Sequence, residues 1–129
     1  ANNRMMPDAP WRLADVPTFI ATGSKDFSTV GASDGQKSAS AWQIPPDARF
    51  PEQPHWYLFM QDSDHYFGGV ICKQSAPGPA DPEALQITNG ASTAFLEAYI
   101  RADAAARAFL ESGQIGALTN GRATLDNRP

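Results

Sequence analysis

Val16-Pro17-Thr18-Phe19-Ile20-Ala21-Thr22, VPTFIAT, is a short apolar and β-branched run closed by Gly23. Its apolar residues are continuous instead of alternating, which predicts a strand covered on both faces. Pro17 falls in its first residues, where no ladder hydrogen bond is lost. A second run, His55-Trp56-Tyr57-Leu58-Phe59-Met60, has the same character, and its aromatic enrichment favours strand over helix. Between the two, residues 23–35 are rich in glycine, serine and aspartate and read as loop. Ala39, Trp42 and Ile44 then fall at loosely helical spacing, which predicts a short helix over residues 36–44, ended by Pro45-Pro46. A crossover of this length joins its strands as a parallel, right-handed pair.

Outward from that pair the chain is polar. Residues 1–15 carry only Trp11 and Leu13 as large apolar anchors and read as a loop lead-in, whereas Gln61–Gly69, QDSDHYFGG, is a polar loop that ends in a glycine pair. Asp81-Pro82-Glu83 has the form of a helix start: an oxygen-bearing cap, proline at the first helical position and an acid in the positive first turn. Ile87, Ala91, Phe95, Leu96, Tyr99 and Ile100 follow on one face. Asn89-Gly90 interrupts that face and predicts a kink or break. Asp103 can cap a second short helix that ends before Gly113, and residues 113–129 read as a polar tail, frayed from Thr119 onward. The class is α/β, with residues 16–112 as a partial domain. Two buried parallel strands have too little around them to stand alone, so further strands are expected in a preceding segment or a second chain. Ala1, not a methionine, opens the chain. Its natural start is therefore expected upstream.

Bulk properties exclude whole classes of function. The net charge of −4 and a pI near 4.9 disfavour a nucleic-acid partner, which needs a basic face to displace counterions. No apolar run approaches the ~20 residues of a membrane span, and the first residues lack the basic and then apolar pattern of a secretory signal. Cys72 is the single cysteine, which excludes an internal disulfide and a multi-cysteine metal site and predicts a buried free thiol.

Two residues stand where chemistry gathers in parallel sheets, at the carboxyl ends of the strands. Asp26 follows the first strand in TGSKD, and His65 follows the second in QDSDHYFGG. Neighbouring strands ~4.8 Å apart bring such loops within reach of one another. A carboxylate beside an imidazole is half of a nucleophilic relay, because it fixes the ring tautomer and stabilises the imidazolium. Tyr66 and Phe67, beside the histidine, are candidates for a substrate pocket. Gly31-Ala32-Ser33-Asp34-Gly35 matches G-x-S-x-G, but a nucleophile elbow needs a strand running straight into the turn, and loop residues separate Ser33 from Thr22. Ser33 reads as a turn serine at the start of the helix near Gln36. Asp62, Asp64 and His65, with His55 nearby in sequence, make a rival oxygen and nitrogen metal cluster.

VPTFIATGSKD, then WYLFMQDSDHYFGG, then STAFLEAYIRADAAARAFL resemble the carboxyl-terminal part of an α/β-hydrolase, nearest to the dienelactone hydrolase and platelet-activating factor acetylhydrolase-like esterases. The resemblance covers roughly residues 15–112. It implies that these are the last two parallel strands with their crossover and closing helices, that Asp26 is the catalytic acid, that His65 is the general base, and that residues 82–102 form the closing helix. The function implied is hydrolysis of a small carboxylic ester through a Ser-His-Asp relay, with no metal or organic cofactor. The chain departs from the family in having no strand-elbow serine and no oxyanion-hole loop. The nucleophile is then expected in an amino-terminal portion of the fold, from the same gene or a second polypeptide, and the chain alone is expected to be inactive. Two rivals are a non-catalytic α/β fragment or interaction module, and a metal-dependent hydrolase using Asp62, Asp64 and His65.

Overall fold

A computed structural model describes residues 16–25, 54–72 and 78–128. The helix expected over 36–44, the crossover that holds it and Ser33 all lie outside these residues. The two apolar runs form β1 (Thr18–Gly23) and β2 (His55–Met60), followed by a single 3-10 turn (Phe67–Gly69), α1 (Pro82–Ile100), α2 (Ala104–Glu111), α3 (Gln114–Leu118) and β3 (Ala123–Arg128). β1 and β2 are parallel, as the sequence predicts, with Thr18 opposite His55 and Gly23 opposite Met60. The mixed α/β class holds.

The sheet has a third strand that the sequence reading places in a frayed tail. β3 pairs antiparallel with the far edge of β2, Ala123 opposite Met60 and Leu125 opposite Leu58, giving the order β1-β2-β3. Ala123 is buried and Leu125 half-buried, whereas Thr124 and Asp126 face out. That is the alternation of a strand with one wet face, and two apolar residues among polar neighbours make it faint in the sequence. The turn into it is well tied: the Thr119 hydroxyl donates to Ile115 O at 2.7 Å and accepts from Ala123 N at 3.0 Å.

Strand pleating sends Trp56, Leu58 and Met60 to one face, where all three are buried, while Tyr57 is buried on the other. β2 is therefore covered on both faces. α1 lies against the first face through Ala84, Ala91 and Ala98, one small residue every two turns, so that its backbone can approach closely. It is capped as expected: the Asp81 carboxylate accepts from Ala84 N at 3.1 Å, and Pro82 opens the first turn. Two expectations for this helix fail. It runs without interruption through Asn89-Gly90, and Leu96 and Ile100 are exposed, because the sheet meets the helix along the alanine line and these two project beside it. Asp103 caps α2 by accepting from Ala106 N at 2.8 Å, and α2 closes over the amino end of the sheet through Leu110. None of the described helices is long and apolar enough to cross a membrane.

Candidate functional site

The carboxyl ends of β1 and β2 are joined by backbone contacts. Ser24 N donates to Met60 O at 2.9 Å, and Lys25 N donates to Ser63 O at 2.9 Å. Asp62 N returns a bond to the Ser24 hydroxyl at 2.8 Å. The approach is close enough to exclude any side chain at Gly23, where a Cβ would sit 2.1 Å from Ser63 O. The Lys25 ammonium lies 3.0 Å from the Asp62 carboxylate, but both side chains are largely exposed, so this pair contributes little. The loop after β1 therefore runs directly onto the loop that holds His65. Asp26, the next residue, lies outside the described residues.

His65 is exposed on that loop, with its ring edge-on to Tyr66 at 5.0 Å between centroids. The turn behind it is made by Asp64, whose carboxylate oxygen accepts from Tyr66 N at 2.8 Å and from Gly68 N at 2.9 Å. This is a short aspartate folding its own backbone into a turn. Phe67 then adopts a φ of 51°, and its side chain enters the core beside Leu58, Met60 and Ala84, 9% exposed, while Tyr66 stays half-buried. Gly68, at a φ of 64°, passes so close to Pro79 that a Cβ would lie 1.7 Å from its carbonyl oxygen.

The metal cluster does not form. Asp64 is committed to amides, Asp62 faces Lys25, and among the described residues no group of three or more His, Cys, Asp or Glu side chains is arranged to hold a metal ion. His55 opens β2 at its amino end, about 17 Å from the carboxyl end at 3.3 Å per residue. Cys72 is exposed, contrary to the buried thiol expected, because after the 3-10 turn it is the neighbouring Ile71 that packs against the core.

Sequence reasoning misses Arg122. It precedes β3, and its guanidinium pairs with the carboxylates of Asp81 and Glu83 at the start of α1. Its Nε donates to Gln61 O at 3.3 Å, and Gln61 N donates to Arg122 O at 2.8 Å. The hydrogen bond to Asp81 raises the Arg122 pKa above its ordinary value, against the opposing effect of burial, and Glu83 adds to the rise. The Arg122 charge is present in full below the ordinary arginine range, and what it contributes is lost as pH rises through its raised value. The one signal in the sequence is an arginine set immediately before the Ala-Thr-Leu-Asp alternation.

Compared with protein-family models, with curated proteins and with solved structures, the chain matches none of them.

Proposed function

We propose that this chain is the carboxyl-terminal part of an α/β-hydrolase-type serine esterase, with His65 as the general base and Asp26 as the carboxylate that orients it. The observation that carries the reading is the joined carboxyl edge. His65 stands exposed on a loop whose Ser63 carbonyl is hydrogen-bonded by Lys25, the residue directly before Asp26. A parallel pair with its two following loops in contact is the arrangement an acid and base relay needs. The resemblance of residues 15–112 to the dienelactone hydrolase-like esterases points the same way.

In this reading His65 takes the proton of a serine supplied by the amino-terminal portion of the fold, and the serine attacks the carbonyl of a small carboxylic ester. The ester C–O bond breaks as His65 returns the proton to the departing alcohol, and water activated by the same imidazole hydrolyses the acyl-enzyme to the free acid and the serine. The relay requires no cofactor.

A fluorophosphonate probe tests it on this chain and on a chain extended by its natural upstream sequence. The expected result is labelling of the extended chain alone, with His65→Ala lowering its ester turnover by at least about a thousandfold. Labelling of the short chain at Ser33, or turnover indifferent to His65→Ala, overturns the reading. Absence of labelling in both chains favours a non-catalytic α/β module instead.

A further inference from the structure

The loop that carries His65 leaves β2 at Gln61 and ends at Phe67. Two of its residues, Asp62 at a φ of 61° and Phe67 at 51°, hold left-handed backbone that non-glycine residues rarely adopt. Such conformations persist only where the surroundings over-determine them. Within the loop, Asp64 supplies part of that constraint. From outside, Ser24 and Lys25 hold its middle at Asp62 and Ser63, and one pair of charges reaches its two ends.

Arg122 grips the first end of the loop: its Nε donates to Gln61 O at 3.3 Å, and its own carbonyl accepts from Gln61 N at 2.8 Å. Asp81 grips the other end, its backbone N–H donating to Phe67 O at 2.9 Å. The Arg122 guanidinium and the Asp81 carboxylate are paired with each other, and both are mostly buried. Gln61, Arg122, Asp81 and Phe67 thus form a chain of contacts that joins the two ends of the loop from outside, and none of these contacts is made by His65 or its immediate neighbours. We propose that Arg122, acting through Asp81, is a positioning residue for His65, fixing the separation and orientation of the two ends of its loop.

The other duties of these side chains are covered elsewhere. β3 is held by its ladder with β2 and by Thr119. The start of α1 is capped by the Asp81 oxygen that bonds Ala84 N, while Arg122 pairs with the other oxygen. The work left for the ion pair is the spacing of the loop ends. The three nitrogens of a planar fork meet Asp81, Glu83 and Gln61 at once; a lysine ammonium has its donors on a single atom and does not reproduce that spread. That the positioning serves catalysis rests on the hydrolase reading, whereas the effect on the loop does not.

The test uses the isotopically labelled 129-residue chain, followed by amide hydrogen exchange and by the His65 ring signals in NMR. Asp81→Asn keeps an oxygen to cap α1 and removes the charge, and Arg122→Lys keeps the charge and removes the fork. Both are expected to speed exchange at Tyr66 and Gly68 by at least about tenfold, the scale of one lost charge-assisted hydrogen bond, and to shift the His65 ring signals. Protection at Leu58 in β2 should be retained. Glu83→Gln, which removes the exposed arm of the fork, should change loop exchange by less than about twofold. Unchanged exchange at Tyr66 and Gly68 in a folded Asp81→Asn chain overturns the proposal. An equal rise at Leu58 overturns it too, since the effect would then be on the whole fold. If Arg122→Lys does not fold, Asp81→Asn decides. In the extended enzyme the same variants should lower kcat with little change in KM. Turnover indifferent to His65→Ala, with the loop still loosened by Asp81→Asn, removes the hydrolase reading and leaves the positioning role standing.

Discussion

The two ends of the sheet are held by different forces. At the amino end Trp56 is 1% exposed and sits among Phe19, Phe95, Tyr99 and Phe109, with Leu110 of α2 closing over it. Its indole N–H donates to the Tyr99 hydroxyl at 2.8 Å, the Phe95 and Tyr99 rings lie 4.9 Å apart, and the Arg107 guanidinium stands 4.6 Å over the Tyr99 ring. Large apolar area and ring contacts dominate there. At the carboxyl end the buried side chains beside Met60 and Phe67 are mostly small, and the cohesion comes from backbone hydrogen bonds between loops and from the Arg122 fork. Area is non-directional and resists unfolding without fixing geometry closely. Directional bonds around left-handed residues fix geometry at some cost in strain, and that end holds His65.

The largest effect should come from the amino end. Trp56→Ala removes the largest fully buried side chain among the described residues and leaves a cavity between sheet and helices, a loss of about 3–5 kcal/mol read as a lowered urea midpoint. A loss below about 1 kcal/mol would mean that the aromatic cluster does not hold the sheet. Next comes Gly23→Ala at the carboxyl end. Its new methyl meets the Ser63 carbonyl, which is backbone and cannot swing aside, so a destabilisation of about 1–3 kcal/mol is expected. The amide signals of Lys25 and Ser63 should shift with it, whereas those of α2 should not. Shifts concentrated in α2 would erase the distinction between the two ends.

How much was legible in the sequence follows the same division. The amino end announces itself in WYLF and in the aromatic spacing of α1, and the strands, their parallel pairing and both helix caps at Asp81 and Asp103 follow from local rules that the fold obeys. The carboxyl end was legible only as a location. His65 could be placed after a strand, but the turn that presents it depends on Asp64 folding back on two amides, one of several turns a loop aspartate can make, and on Phe67 adopting a positive φ, which has no compositional signature. Arg122 was invisible for a related reason. Its partners are Asp81 and Glu83, distant in sequence, and the strand that brings it there shows only two inward residues.

Tyr99→Phe isolates the indole hydrogen bond of the aromatic end. The ring and its packing stay, and the Trp56 N–H loses its acceptor in a part-buried site, for a cost of about 1 kcal/mol by urea unfolding. If the change is neutral, apolar area and ring contacts hold this end without the hydrogen bond, which sharpens the contrast with the carboxyl edge.

The smallest expected effect has the opposite sign. Gly90 stands inside α1, is exposed, and a Cβ built on it meets nothing within 4 Å. Its φ is not left-handed, so alanine fits without strain and restricts the unfolded chain more than the folded one. Gly90→Ala should therefore stabilise the protein by about 0.5–1 kcal/mol, read as a higher melting temperature. The same glycine to alanine change thus costs stability at residue 23 and adds it at residue 90, because backbone stands against the one and solvent against the other. A loss at residue 90 would put back the kink that Asn89-Gly90 predicts and would separate the two halves of α1. The helix could not then act as the rigid rod that carries Asp81 at one end and Tyr99 near the other, and the two ends of the sheet would have to be treated as mechanically independent.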